Sequence, residues 1–379
     1  PLPLADPAQS APETALTRHT DLWLPDGSVV LQAERTLFRV HMSQLSRHSV
    51  IFRDMFALPQ PRPPSPSVPA PAPVHATFAE AMCEGCPLVL LHDAAADVGH
   101  LLTALYDGPK FGCNDCADFR MAAGILRLAS KYMMDSLRAK ALAHLALAWP
   151  GTLKAWEARE DRARAHELEH GAENGHLYPN PIAVINLARE VHAPTLLPSA
   201  FYDLSRYTYA QIFEAEDDTS RFRAEPPAPM PLPALSACDT QKLALGKEAA
   251  AQAVSAVIHG MARGPHSHTR KAAFSLLTPA GAHAHGHAPS ASLGAAAGAC
   301  ASPGACRRDF AELVALATQH YICDRERGCA DPLYVAEELG ALKSAELSEC
   351  GACARGLEIW AARERERMWK MIPLWFRLE

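Results

Sequence analysis

The sequence lacks the features of membrane, secreted and nucleic-acid-binding proteins. No apolar run approaches the roughly 18 residues that a membrane-spanning helix needs, and the first residues show no charged-then-apolar signal pattern. The 36 Lys and Arg residues are outnumbered by 42 Asp and Glu residues, for a net charge of −6, so no basic footprint for nucleic acid stands out. We therefore expect an intracellular protein, cytoplasmic or nuclear and not secreted, that has neither a membrane nor a nucleic acid as partner.

Catalytic motifs are lacking as well. No Gly-x-Ser-x-Gly turn, which would present a nucleophile, occurs in the chain. His41, Ser49 and Asp54 lie close together in the sequence. Ser49, however, stands where its hydroxyl can cap a helix, and Asp54 falls on the polar face of that helix. We predict no catalytic residues and a protein that is not an enzyme.

Proline and low-complexity segments divide the 379 residues. The pattern predicts a disordered tail at 1–18, a domain at 19–149 with a proline-rich insert at 59–76, a helical extension at 150–213, a linker at 214–235, and a helical C-terminal region at 236–379 with a low-complexity loop at 280–299. The insert is interpreted as a linker, with a polyproline II ligand as the alternative.

Hydrophobic periodicity predicts the elements of the first domain. Alternating apolar residues over 21–42, broken by turn chemistry at Pro25-Asp26-Gly27, favour a small antiparallel sheet. Phe52, Met55 and Phe56 then recur at helical spacing, and a short apolar strand at 86–93 precedes three further helices. Asn180-Pro181 predicts the start of a later helix, with Asn180 as its cap.

Several separated motifs of this domain resemble those of BTB/POZ domains. They agree in order along residues 21–146 and comprise Asp21, Phe38, Val40-His41, Leu45, Ser49, Phe52, Met55-Phe56, Leu88–Asp93, Leu101-Leu102, Leu105-Tyr106, Leu126, Ala129, Lys131-Tyr132 and Leu137. The resemblance implies an α+β fold, namely a small β-sheet flanked by helices, followed by a mostly α-helical C-terminal region. Looser similarity to the large fungal set of BTB proteins continues through Pro150–Leu153, Trp156, Leu187–Glu190, Leu196–Pro198, Trp369, Ile372-Pro373 and Phe376.

The resemblance to BTB domains implies a protein-interaction module that forms homodimers and recruits protein partners. The alternative is a substrate adaptor of a cullin-type ubiquitin ligase, although the apolar-x-Glu signal of cullin adaptors is absent after Phe56. Met42 stands where many relatives hold a basic residue. Asp21 and His41 are expected to pair between neighbouring strands, and Phe52 and Phe56 to face the core.

The cysteines are the main candidates for chemistry. The chain has 11 of them, an odd number that suits reduced thiols better than a disulfide framework. Cys350-Gly-Ala-Cys353 has the spacing with which two thiolates chelate one Zn²⁺, and Cys300 and Cys306 are the nearest candidates to complete a structural site. Free thiols and redox chemistry remain the alternatives, with Cys323 and Cys329 as spare thiols.

A second candidate zinc set combines two further Cys-x-x-Cys pairs. These are Cys83 with Cys86, before a strand, and Cys113 with Cys116, after the helix that returns from it. The alternative is two unrelated loops. The loop histidines are interpreted as solvated side chains, with transient metal contact as the alternative; they are His266, His268, His283, His285 and His287.

Overall fold

The computed structural model describes residues 15–58, 82–171, 176–213, 234–261, 300, 302–323, 330–342 and 350–378. The chain divides into two compact units. The first comprises Pro1–Ala148 with Leu177–Pro179 and Glu190–His192, and the second comprises Trp149–His176, Asn180–Arg189 and Ala193–Glu379. Within the described ranges, no helix combines the length and the apolar character that crossing a membrane requires.

The first unit contains a five-stranded sheet with the order β1-β3-β2-β5-β4. Its strands are β1 (Thr17–Trp23), β2 (Val29–Ala33), β3 (Thr36–Val40), β4 (Met82–Cys83) and β5 (Cys86–Leu91). The central strand β2 is almost wholly buried, as expected for a strand with a neighbour on each side. This sheet and the helices around it confirm the α+β class that the sequence predicts.

Two details of the sheet differ from the sequence prediction. The sheet is mixed and not simply antiparallel, because β1 runs parallel to β3 and β2 runs parallel to β5. Hydrophobic alternation fixes which face a residue occupies but not which strand lies beside it, so the sequence could not reveal this. Thr17 and Arg18, assigned to the disordered tail, begin β1.

Five helices complete the described part of the first unit. They are α1 (Met42–His48), α2 (Val50–Ala57), α3 (Ala95–Tyr106), α4 (Cys116–Lys131) and α5 (Asp135–Leu145). The predicted helix over 49–56 is α2, and the preceding α1 was not foreseen. The apolar stripes of α3 and α4 are buried, which supplies most of the core on which the sheet packs.

Ser49 is the N-cap of α2, as the sequence predicts. Its hydroxyl accepts a hydrogen bond from the Phe52 N–H at 3.0 Å and donates one to the Tyr132 carbonyl at 2.6 Å. Only 2 % of Ser49 is exposed, so both bonds are shielded from water. The Phe52 ring stacks on Tyr132 with centroids 4.6 Å apart, and α2 is thereby joined to the end of α4.

Replacing Ser49 by alanine is expected to lower the free energy of unfolding by about 2 kcal/mol, because a cap and a buried donor are lost together. Urea denaturation followed by circular dichroism measures this change. Ser43→Ala is the control, since Ser43 is exposed on α1 and its loss should cost less than about 0.5 kcal/mol. Equal costs for the two variants would contradict the assigned role.

The second unit is helical throughout its described part. Its helices are α6 (Leu153–His170), α7 (Pro181–Glu190), a 3₁₀ turn (Pro194–Leu196), α8 (Leu197–Ser205), α9 (Tyr209–Phe213), α10 (Ala237–Met261), α11 (Pro303–Thr318) with a π-turn (Gln319–Cys323), α12 (Pro332–Ala341) and α13 (Gly351–Trp375). Asn180 accepts a hydrogen bond from the Ile182 N–H at 2.9 Å, which bears out its prediction as a cap.

Helix α13 is held in the unit by close contacts. A Cβ at Gly246 of α10 would lie 1.9 Å from the Phe376 ring, so only glycine permits this approach of helix and ring. The Trp369 indole donates a hydrogen bond to the Gly151 carbonyl at 3.0 Å and its ring lies 5.6 Å from that of Trp156. The end of the chain therefore packs on the start of the helical extension.

A buried network of charges joins α6, α8 and the start of α12. Arg159 pairs with Asp203 at 2.5 Å, and both side chains are less than 5 % exposed. Arg206 pairs with Asp203, with Glu160 at 2.6 Å and with Asp331 at 3.4 Å. Charges at this depth are stable only when they are paired and hydrogen-bonded, so the network fixes how these three elements pack.

Several predictions lie outside the described residues. These are the disordered tail up to residue 14, the proline-rich insert, the linker over 214–233, the low-complexity loop at 280–299 and the five loop histidines.

Candidate metal centre

Four cysteine side chains of the second unit lie together. The sulfur atoms of Cys300, Cys306, Cys350 and Cys353 are all within 4.8 Å of one another. The Sγ atoms of Cys300 and Cys306 are 3.5 Å apart, and those of Cys300 and Cys350 are 4.0 Å apart. No pair is joined by a disulfide, since all four are free thiols. The structure thus brings together the set that the Cys-x-x-Cys spacing predicts.

Two helix starts position these thiols. Cys350 is the N-cap of α13 and Cys353 lies in its first turn. Ser302 precedes Pro303 at the start of α11, where the Cys306 N–H donates to the Ser302 carbonyl at 3.0 Å. Free N–H groups at a helix N-terminus favour negative charge nearby. At these two helix starts this effect acts against burial, which raises the pKa of Cys306 and Cys353.

Burial controls the ionisation of Cys306 and Cys353. Cys306 is 1 % exposed and Cys353 is 3 % exposed. Burial, reinforced by a hydrogen bond with Cys300, raises the pKa of Cys306 to about 11, and burial also raises the pKa of Cys353. Neutral pH alone therefore leaves these thiols protonated, and a metal ion would have to displace their protons to bind.

The distances suit a tetrahedral metal site. With metal–sulfur bonds of about 2.3 Å, the sulfurs of a tetrahedral zinc site lie roughly 3.8 Å apart. The measured separations of 3.5 and 4.0 Å lie on either side of that value. Four soft thiolates select Zn²⁺, Cu⁺ or iron over Mg²⁺ and Ca²⁺. The cluster can therefore hold one such ion with only small movements of its side chains.

The second predicted cysteine set is not brought together. Within the described ranges, the group at Cys300 is the one cluster of three or more potential ligands at metal-binding distance. Cys83 pairs with Cys86 across the β4–β5 hairpin, and the buried Cys86 thiol donates to the Gly27 carbonyl at 3.2 Å. Cys113 contacts Asp115 instead, at 3.3 Å. Of the spare thiols, Cys323 is exposed and Cys329 lies outside the described residues.

The predicted pairing of Asp21 with His41 is wrong. His41 instead contacts Tyr106, whose hydroxyl accepts from the His41 N–H and meets ring Nδ1, each at 2.9 Å. The other ring nitrogen, Nε2, lies 3.2 Å from Asp26, and this hydrogen bond lowers the pKa of Asp26. The Asp21 N–H donates to the His19 ring at 3.2 Å. The turn after β1 brings Asp26 closer to His41 than sequence alternation suggests.

The remaining predicted fold residues lie around α1 and α2. Met42 is the first residue of α1 and its N–H donates to the Ser28 hydroxyl at 2.9 Å. Phe52 is buried and Phe56 is half-buried, with ring centroids 5.9 Å apart. These contacts place the residues in the packing of the first unit.

Sequence reasoning missed the end of α6, where His166 and His170 stack on one face of the helix. Residues 166–170 read His-Glu-Leu-Glu-His and form the last turn of α6. The signal was available, because two histidines four residues apart share one face of a helix. The charged composition of residues 157–178 did not indicate a helix there. The four-residue spacing of the two histidines is informative only on a helix.

Comparison with models of known protein families finds no match for the chain, and no curated protein matches it. Assignment of the cluster therefore depends on its geometry. Four thiols at metal-binding distance, three of them buried, are the observation that distinguishes this site from the other cysteines described.

Proposed function

We propose that the protein is a non-enzymatic protein-interaction module whose helical second unit is stabilised by one zinc ion bound to Cys300, Cys306, Cys350 and Cys353. The observation that supports this proposal is that the four sulfur atoms lie within 4.8 Å of one another. Four protein ligands would fill the tetrahedral shell of zinc and leave no position for a substrate or for an activated water. Such a site stabilises a fold and does not catalyse a reaction.

The separation of the two cysteine pairs along the sequence supports a stabilising metal. Cys300 and Cys306 lie at the start of α11, while Cys350 and Cys353 lie at the start of α13. A shared ion would tie these two helix starts together across more than forty residues of sequence. Closing a long loop restricts the unfolded chain, and metal binding adds directly to the free energy of folding.

The interaction role is supported by the first unit. It has the small sheet flanked by helices that the resemblance to BTB domains implies. Residues from separate motif blocks also meet there: Asp93 accepts hydrogen bonds from Lys131 at 2.6 Å and Tyr132 at 2.5 Å, and His41 contacts Tyr106. These contacts give the polar residues of the motifs a role in holding the fold, which supports a non-catalytic role for them.

We propose that the first partner is a second copy of the chain. Strand β1 lies at one edge of the sheet, and most of its side chains are exposed. An edge strand offers unpaired backbone groups with which another strand can pair. The first strand is also where the resemblance places the dimer contact.

Light scattering tests this proposal. At micromolar concentration the chain is expected to have twice its monomer mass of 41.0 kDa. Thr20→Pro should yield monomers with an unchanged circular dichroism spectrum, because proline removes an N–H from the edge but is tolerated on edge strands. Thr20→Val should remain dimeric. A wild-type monomer at this concentration would contradict the proposed self-association.

A further inference from the structure

The four thiols of the metal centre differ in their access to solvent. Cys300 is half-buried, whereas Cys306, Cys350 and Cys353 are buried. Cys306 and Cys353 are only 1 % and 3 % exposed. A small oxidant in water therefore meets the sulfur of Cys300 first, because oxidation of a cysteine requires access to its sulfur atom.

The same half-buried thiol lies next to a second one. Cys300 Sγ is 3.5 Å from the Sγ of Cys306 and 4.0 Å from that of Cys350. A disulfide bond is about 2.05 Å long, so Cys300 and Cys306 can join after an approach of roughly 1.5 Å. Of these two neighbours, Cys306 is the nearer and is the one expected to react with an oxidised Cys300.

Cys300 and Cys306 belong to the same helix start. Cys306 lies in the first turn of α11, and Cys300 precedes Pro303, the first residue of that helix. Cys350 and Cys353 belong instead to the start of α13. A disulfide between Cys300 and Cys306 would therefore close a short local loop and would not join α11 to α13.

A metal held by the four thiols would be lost on this oxidation. A sulfur atom in a disulfide no longer carries the negative charge with which a thiolate binds Zn²⁺. Of the four ligands only Cys350 and Cys353 would remain, and two thiolates do not fill the four positions of a structural site. Because a structural metal adds to the free energy of folding, its release would lower the stability of the second unit.

From these observations we propose that Cys300 is an oxidation site through which a peroxide releases the metal. Peroxide oxidises Cys300, Cys306 reacts with the oxidised sulfur, and the disulfide that forms replaces the tie between α11 and α13. The release of zinc rests on the zinc site proposed above, whereas formation of the disulfide requires only the two thiols.

The reaction is a two-electron oxidation by hydrogen peroxide. The Cys300 thiolate attacks one peroxide oxygen and the O–O bond breaks, which gives a sulfenic acid and a hydroxide that takes up a proton to form water. The Cys306 thiolate then attacks the Cys300 sulfur and the S–O bond breaks, which releases a second hydroxide that is protonated in the same way. Two thiolates are thus oxidised to one disulfide while one peroxide is reduced to two waters.

Peroxide treatment of the zinc-loaded full chain tests this proposal. A chromophoric chelator measures the zinc released, and mass spectrometry of the alkylated and digested chain identifies the disulfide. We expect one equivalent of zinc to be released for each Cys300–Cys306 disulfide formed. A dithiol reductant should remove the disulfide and restore zinc binding.

Cys300→His separates oxidation from metal binding, because three cysteines and one histidine also form a structural zinc site. This variant should bind one zinc but release it at least about tenfold more slowly in peroxide, since the accessible sulfur is gone. Cys238→Ser removes an exposed thiol outside the cluster and should release zinc at the rate of the wild type. If Cys300→His binds no zinc, the disulfide identified in the wild type decides.

The outcomes distinguish the oxidation site from the zinc site. A wild type that keeps its zinc in peroxide, or a Cys300→His variant that releases zinc equally fast, would overturn the oxidation site and leave the zinc site standing. Zinc release with a disulfide between Cys350 and Cys353 in place of Cys300–Cys306 would also overturn it. A chain that binds no zinc but forms the Cys300–Cys306 disulfide would support the oxidation site and contradict the zinc site.

Discussion

Replacing Cys353 by serine is expected to lower the free energy of unfolding of the second unit by about 4 kcal/mol or more when zinc is present. Structural zinc contributes roughly 10–16 kcal/mol to the folding of small metal-bound domains, and the loss of one ligand forfeits part of it. Cys353 is buried in the first turn of α13, so a hydroxyl at this position would also be poorly solvated. Thermal unfolding followed by circular dichroism measures the loss.

The matched control for Cys353→Ser is Cys238→Ser. Cys238 is an exposed free thiol on α10 in the same unit, and its replacement should change stability by less than about 0.5 kcal/mol. Adding a chelator to the wild type should reproduce the effect of Cys353→Ser and should leave that variant unchanged. A wild type whose unfolding is insensitive to the chelator would contradict a metal role for the cluster.

Replacing Asp203 by asparagine is expected to cost about 3–5 kcal/mol. The change keeps the shape of the side chain but removes the charge that pairs with Arg159 and Arg206. A buried pair that loses one partner leaves an uncompensated charge in the interior, which is the costly outcome. Urea denaturation of the full chain measures the difference in free energy of unfolding.

Acid should remove this stabilisation from the wild type. Burial acts to raise the pKa of Asp203, but the charges of Arg159 and Arg206 outweigh it and lower the pKa below its usual value. A carboxyl with a lowered pKa in the folded state stabilises fully above its unfolded pKa, about 3.9. That contribution is lost as the pH falls through the folded pKa. The stabilities of the wild type and Asp203→Asn should therefore begin to converge below about pH 4 and meet only below the folded pKa of Asp203.

An exposed ion pair provides the control for the buried network. Asp161 pairs with Arg164 at 2.6 Å on the surface of α6, with 71 % of the Asp161 side chain exposed. Asp161→Asn should cost less than about 0.5 kcal/mol, since water screens such pairs. Similar costs at Asp161 and Asp203 would mean that the buried network does not hold α6, α8 and α12 together.

Local patterns predicted local structure well. The Ser49 and Asn180 caps follow from short-range chemistry, in which a side-chain oxygen accepts from an N–H two or three residues on, and both are observed. The cysteine cluster was predicted in the same way from the spacing of Cys350 and Cys353, with Cys300 and Cys306 as the nearest second pair.

Features that depend on distant residues could not be predicted. Helix α6 buries few residues, namely Leu153, Trp156 and Arg159, so its pattern resembles a charged loop. The burial of Arg159 becomes reasonable only once Asp203 lies beside it. Equivalent Cys-x-x-Cys spacing at Cys83 and Cys113 gave no cluster, because spacing predicts a local pair and not the meeting of two pairs.

X-ray absorption spectroscopy of the zinc-loaded chain tests the central claim most directly. Passage over a chelating resin removes weakly bound ions, so the zinc that remains should report on the cysteine cluster. The account predicts one equivalent of zinc surrounded by four sulfur atoms at about 2.3 Å. A chain that retains no zinc, or zinc bound only by nitrogen and oxygen, would contradict the assignment of Cys300, Cys306, Cys350 and Cys353 as a structural metal site.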